Sequence, residues 1–252
     1  MTENLLVIWQ EVESRNKYHI GTLSYNEKEG LYHFNYAFDV LRRGLQEALD
    51  AGFKGIYEFE LEEGKVTSKD LFHFFNKRLP NPKRSDYHDL LNYFGLEENA
   101  SKMDFLRRTK GRLGTDSYEL ISPIVKNNKD NYFRLETFIE AWQYYDGESI
   151  LQELCIGDQL KLVREPGNKN DKFAVKILTL DNTHLGYIAA VYSEFVSNVL
   201  DNENKCSIEI AKVYPDAIPQ MKVYIEIEGK CTFQSDKFSN GNSKYERELI
   251  LI

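Results

Sequence analysis

Trp142-Gln143-Tyr144-Tyr145-Asp146-Gly147 begins the stretch whose reading decides the fold of the second half of the chain. After Leu160-Lys161-Leu162-Val163 comes Arg164-Glu165-Pro166-Gly167-Asn168-Lys169-Asn170-Asp171, where Pro, Gly, Asn and Asp are turn formers. Ala174-Val175-Lys176-Ile177-Leu178 then reads as a strand, and Leu185-Gly186-Tyr187-Ile188 as another.

Outward from there, period-two and apolar runs predict strands over 132–142, 159–163, 174–178, 184–188, 207–213 and 220–228. One helix interrupts them, with Tyr192, Phe195, Val196, Val199 and Leu200 on one face. Residues 232–244 read as a loop and 248–252 as a closing strand. Many short strands around one helix predict a mainly β small barrel of SH3 or OB type.

The order of a Tyr-Tyr pair, a Glu-Pro-x-Asn-x-x-Asp turn, an Ala-Val strand and a Gly-Tyr strand resembles the HIRAN domain. The resemblance implies a small barrel that captures single-stranded DNA or a 3′ end without an enzymatic step. It implies a site made of Gln143, Tyr144, Tyr145, Asn170, Asp171 and Tyr187, in which the tyrosines hold the terminal nucleotide. Stacking a base on an aromatic face contributes about 1–3 kcal/mol whatever the sequence. Asp171 would accept a hydrogen bond from the terminal hydroxyl; read by itself, it also suits an Asx turn joining two strands. Three positions depart from the family pattern. Gln143 stands where DNA-binding members often carry Arg, Asn170 where an aromatic is common, and Ala189-Ala190 where lysines occur. Phosphate contacts supply much of the affinity for nucleic acid, so the departures imply a weaker grip.

The first half is read as α+β. Runs at Leu5–Trp9, Tyr18–Leu23 and Leu31–Tyr36 predict an antiparallel meander. Phe38, Leu41, Leu45 and Leu49 recur at helical spacing, with Gly52 as the stop. Three short helices follow: one capped by Thr67 with Asp70, one opened by Ser85 and ended by Gly95, one capped by Ser101 with Asp104. Ile20-Gly21-Thr22-Leu23, the aromatic strand after it and Phe74-Phe75-Asn76-Lys77-Arg78-Leu79-Pro80 are similar to the N-terminal domain of HipA-type proteins. That likeness implies a protein-interaction module of toxin–antitoxin or defence systems, with a protein partner for this half. The chain holds no kinase body, so phosphotransfer is not carried over. The expected domains are 1–125, HipA N-terminal-like, and 132–252, HIRAN-like, with the polar 126–131 as linker.

Composition narrows the classes. A net charge of −8 argues against a general nucleic-acid coat but leaves room for a local site. Positive charge gathers between Lys77 and Arg112, where nine Lys/Arg face five acids. Arg107, Arg108, Lys110 and Arg112 are therefore candidate phosphate contacts, or simply a solvated helix face and loop. Gly111 and Gly114 read as a turn into a strand. The three cysteines (Cys155, Cys206, Cys231) are widely spaced and fit a reducing compartment. The five histidines lack metal-ligand spacing, and neither a P-loop nor a nucleophile elbow is present. The expectation is a non-enzymatic, cytoplasmic, bacterial or phage-related protein that uses no cofactor and does not associate with a membrane.

Overall fold

Leu5, Leu6, Val7 and Ile8 are all 0% exposed, as strand residues are when both faces of the strand are covered. They belong to β1 (Thr2–Gln10), the strand on which the first half of the chain is built. In this computed structural model, which describes residues 2–127, 131–231 and 250–251, the chain divides into two units, Met1–Pro123 and Ile124–Ile252.

In the first unit β1 pairs antiparallel with β2 (Lys17–Asn26), and β2 with β3 (Leu31–Tyr36). The short β4 (Val66–Ser68) closes one edge against β3. On the other edge β5 (Tyr118–Ile121) returns from far along the chain to pair with β1. The antiparallel order is thus β4-β3-β2-β1-β5. Leu5, Val7, Ile20, Leu23 and Phe34 pack with Phe72, Phe75, Met103 and Leu106 from the helical segment.

The helices are shorter than the periodicity suggests. α1 spans Leu45–Asp50 only. Arg43 at φ 51° and the extended Gly44 interrupt the chain before it, leaving Leu41 57% exposed. The expected Thr67 cap is instead part of β4, and Asp70 caps nothing; its backbone N–H donates to the Ser68 hydroxyl. α2 (His73–Asn76) is capped from a distance, by the Glu58 carboxylate, which accepts from the His73 and Phe74 N–H groups at 2.9 and 2.6 Å. α3 (Tyr87–Phe94) ends on Gly95 in the left-handed conformation. α4 (Lys102–Thr109) opens with the Ser101–Asp104 capping box in both directions.

The second unit contains two sheets and two helices among its described residues. One sheet is β8 (Lys161–Arg164), β9 (Val175–Leu178) and β10 (His184–Tyr187), antiparallel in the order β10-β9-β8. The other runs β11-β12-β7-β6-β13, from β6 (Ile124–Asn127), β7 (Tyr132–Phe138), β11 (Cys206–Val213), β12 (Val223–Lys230) and β13 (Ile250–Leu251). It is antiparallel except for the β13–β6 pair. α5 (Gly147–Ile150) is one turn, whereas α6 (Ala190–Asp201) is an amphipathic helix that buries Val191, Phe195, Val196 and Val199. Phe195 meets Phe133 of β7 edge-on at 5.0 Å.

The expected barrel is not closed among the described residues. Among the described residues the two sheets are bridged at Glu140–Tyr187 and Gln159–Glu209, with Leu160 N–H also donating to the Ile208 carbonyl at 3.0 Å. β7 also ends earlier than expected, at Phe138 rather than Trp142, because Ala141 adopts φ 61° and turns the chain out of the ladder. Lys126 and Asn127, expected in a linker, pair with Phe133 and Tyr132. Residues 128–130 of that stretch, and the expected loop at 232–244, lie outside the described residues. Of the expected closing strand, Ile250 and Leu251 are described, in β13.

Candidate nucleic-acid interface

The Tyr-Tyr pair sits on a 3-10 turn, Trp142–Tyr144, rather than on a strand. Trp142 is fully buried and its indole N–H donates to Glu148 at 2.9 Å; Lys222 holds the other oxygen of Glu148 at 2.6 Å. Gly147 lies flat beneath the indole, where a Cβ would fall 2.6 Å from the ring. With the turn pinned in this way, Tyr144 projects outward and is 75% exposed. Tyr145 turns inward against β10. Its ring lies 3.9 Å from the His184 ring at 36°, and 5.4 Å from Tyr187 at 62°. His184 and Tyr187 complete the triangle at 5.1 Å.

Strict alternation along β10 would put His184 and Tyr187, three residues apart, on opposite faces. A register shift between His184 and Gly186 removes that mismatch. Gly186, at φ 149°, permits it: a Cβ there would lie 2.3 Å from the Glu140 carbonyl oxygen. The Glu140–Tyr187 bridge runs beside it, with both N–H···O bonds at 2.9 Å.

Beneath the rings is a polar floor built by the Glu-Pro turn. Tyr187 Oη donates to Glu165 Oε2 at 2.7 Å, and Asn168 Nδ2 donates to the same oxygen at 2.6 Å. Lys176 Nζ reaches Glu165 Oε1 at 2.5 Å. Burial works against the Glu165 charge, but the bonds from Lys176, Asn168 and Tyr187 outweigh it and bring the pKa down to about 2. Burial, then hydrogen bonding with Tyr145 and Glu165, raises the Tyr187 phenol well above its ordinary value, so it stays a donor. Burial lowers the His184 imidazole, and its Nε2 faces the Gly186 carbonyl at 3.1 Å.

The turn continues as an Asx structure. Asn168 Oδ1 accepts from the Asn170 and Asp171 N–H groups at 2.9 and 3.2 Å. Asp171 Oδ1 accepts from the Phe173 N–H at 2.9 Å, and Oδ2 lies 2.7 Å from the Ser193 hydroxyl of α6. Asp171 therefore performs the turn role that its sequence context allows, and its carboxylate is oriented by the helix.

Of the residues expected at the site, Tyr145 and Tyr187 are in contact, and Asp171 is linked to them through Asn168 and Glu165. Tyr144, Gln143 and Asn170 are exposed and stand outside the ring cluster. The candidate phosphate contacts at 107–112 lie in the first unit. There Arg107 bonds Asp104 at 2.8 Å and Glu3 at 3.1 Å, and Arg108 is half-buried. Arg112 lies 3.1 Å and the buried Lys110 3.7 Å from Glu119. Burial opposes the Glu119 charge, yet Lys110, Lys17 and Arg112 hold that carboxyl well below its usual range. The site residues missed in the sequence are Glu165 and Asn168, named there only as parts of the turn, and His184, Lys176 and Ser193. His184 and Lys176 flank or occupy recognised strands, but no local signal says which face they take. Among the described residues no group of three or more His, Cys, Asp or Glu could hold a metal ion, and no helix is long and apolar enough to cross a membrane.

Comparison with known proteins agrees with the motif reading for the second unit. The family model of the HIRAN domain matches residues 132–232; the first unit has no family assignment, and nothing in the comparisons supports its HipA likeness. A curated relative, the Fanconi-associated nuclease 1 homolog of Arabidopsis thaliana, is 33% identical over 75 residues, 30% of this chain and 8% of that protein's length. A crystal structure of a protein from Lactobacillus plantarum is similar at 21% identity and a TM-score of 0.34, covering 37% of this chain and 89% of that one. The HIRAN domain of human HLTF is similar at 19% identity and a TM-score of 0.32, covering 38% and 76%.

Proposed function

We propose, taking a HIRAN domain in residues 132–232 as the premise, that the second unit binds the ends of single-stranded DNA. HIRAN domains bind DNA ends. The observation that carries the reading here is the ring cluster of Tyr145, His184 and Tyr187 above the carboxylates of the Glu165–Asp171 turn. Aromatic faces suit the terminal base. A carboxylate can accept a hydrogen bond from a terminal hydroxyl, so a 3′ end is the proposed ligand. The proposed role is binding without catalysis. The nuclease activity named for the plant relative is not carried over, because the matched stretch is 8% of that protein.

Fluorescence anisotropy with single strands bearing a free or a blocked 3′ hydroxyl, at stated low and physiological salt, tests this. Tighter binding of the free end is expected. Folded protein that binds neither strand overturns the reading.

A second reading concerns the first unit, for which the HipA likeness implies a protein partner. Its support is the exposure of large apolar side chains there, Val12 at 70%, Leu41 at 57% and Tyr57 at 71%. A partner recovered from the native host by the natural chain and lost on Leu41→Ser with Tyr57→Ser supports it. Equal recovery by both proteins rules it out.

A further inference from the structure

A strand-binding site needs a cation for phosphate, and Arg107, Lys110 and Arg112 of the basic run are engaged inside the first unit by Glu3, Asp104 and Glu119. Within the second unit, Arg164 makes a two-pronged pair with Asp201 at 2.9 and 3.2 Å and donates to the Ala174 carbonyl. Lys222 is held by Glu148 at the buried Trp142. Lys176 is differently placed. It is the register partner of Tyr187 across β9 and β10, and of Val163 across β8. Cross-strand partners project from the same face of a sheet, so its ammonium shares the face of Tyr187. Its neighbours Val175 and Ile177 are fully buried on the opposite face. The Lys176 side chain itself remains 29% exposed.

We propose that Lys176 is the phosphate-binding cation of the strand site, and that Glu165 parks it beside Tyr187 until a phosphate takes the place of the carboxylate. The inference rests on the strand-binding function proposed above. Two features make the exchange feasible. The two oxygens of Glu165 divide the work: Oε1 takes Lys176 alone, while Oε2 takes Tyr187 and Asn168. Losing the lysine therefore leaves the turn and the phenol tied together. The pair is also reachable from solvent, 29% and 28% exposed at its two side chains, so an incoming phosphate can compete with the carboxylate for the ammonium. The lysine is thus held near the rings without being locked into the core.

Salt dependence separates this role from a structural one. Each phosphate contact to a single strand contributes roughly 0.7 to the slope of log K against log salt. Anisotropy titrations of a 3′-hydroxyl single strand over a series of salt concentrations should show that slope shrink by about 0.7 in Lys176→Gln. Lys176→Arg, which keeps the charge and the pairing with Glu165, should restore it. Glu165→Gln, which keeps an oxygen for Tyr187 but releases the lysine, should bind at least as tightly as the natural chain with an undiminished slope. A Lys176→Gln slope equal to that of the natural chain overturns the assignment. So does a loss that appears instead in Lys172→Gln, whose ammonium lies over the Phe173 ring at 4.9 Å. Binding by the natural chain with an unchanged variant slope removes Lys176 alone. Absence of binding by the natural chain at low salt removes the strand-binding function and this inference together.

Discussion

Tyr187 Oη donates to Glu165 Oε2 across 2.7 Å, which ties the last strand of the small sheet to the first residue of the Glu-Pro turn. The same phenol carries the ring that faces Tyr145 and His184. One residue thus joins the aromatic part of the site to its carboxylates.

Tyr187→Phe isolates the polar half of that link. The ring contacts remain, and a half-buried hydrogen bond to a charged acceptor is lost, so a destabilisation of about 1–2 kcal/mol is expected. Urea denaturation measures it. A change within about 0.3 kcal/mol would show that water replaces the phenol at no loss.

Tyr145→Ala and Tyr144→Ala should differ. Removing Tyr145 takes away a face packed on His184 and Tyr187, and affinity for a single strand should fall by about 5- to 100-fold. Tyr144 is 75% exposed, so its truncation should leave stability within about 0.5 kcal/mol. Equal binding by the natural chain and Tyr145→Ala would separate the ring cluster from the ligand.

In the first unit, the cap of α2 can be tested against the motif that suggested a different one. Glu58→Ala strips both acceptors from the His73 and Phe74 N–H groups and should destabilise the protein by about 1–2 kcal/mol. Asp70→Ala should change little, since its hydrogen bond to the Ser68 hydroxyl is made by the backbone N–H and survives the substitution. The reverse ranking in thermal melts would restore the local capping box.

His19 predicts a pH dependence. Its ring is 1% exposed, and burial lowers its pKa from 6.5 to about 4, against a smaller opposing effect from the Gly21 carbonyl. The folded state therefore binds fewer protons than the unfolded state between those values. Stability is fully present above pH 6.5 and declines as pH falls toward 4, by about 3 kcal/mol over the whole window. His184, whose imidazole pKa burial also lowers, acts in the same window, so His19 accounts for the part of the slope between pH 6.5 and 5 that its replacement removes. Denaturation midpoints for His19→Gln should vary less over that range than those of the natural chain; a slope matching the natural chain would assign the effect elsewhere.

Most strands were legible because their side-chain alternation or unbroken apolar runs state directly that a face is buried. Leu31–Tyr36 keeps its expected bounds as β3, and the Ser101–Asp104 cap works as read, since both signals are local. Where the reading failed, a distant group intervened. Thr67 had a suitable capping partner three residues on, but β3 claimed it for the sheet edge, and a carboxylate fifteen residues before His73 took over the helix end. The helix from Phe38 was cut short by backbone conformations at Arg43 and Gly44 that apolar spacing does not report.

The candidate site divides along the same line. The Glu-Pro turn, the Ala-Val strand and the Gly-Tyr strand were determined by sequence alone, because turn chemistry and strand patterning act over a few residues. The face on which each ring lies was decided only in three dimensions. Ala141 turns the chain, a register shift at Gly186 brings His184 beside Tyr187, and strand pairing places Lys176 opposite that tyrosine. A one-residue offset moves a side chain to the other face of a sheet, and such offsets are settled by close packing between segments that are far apart in the chain.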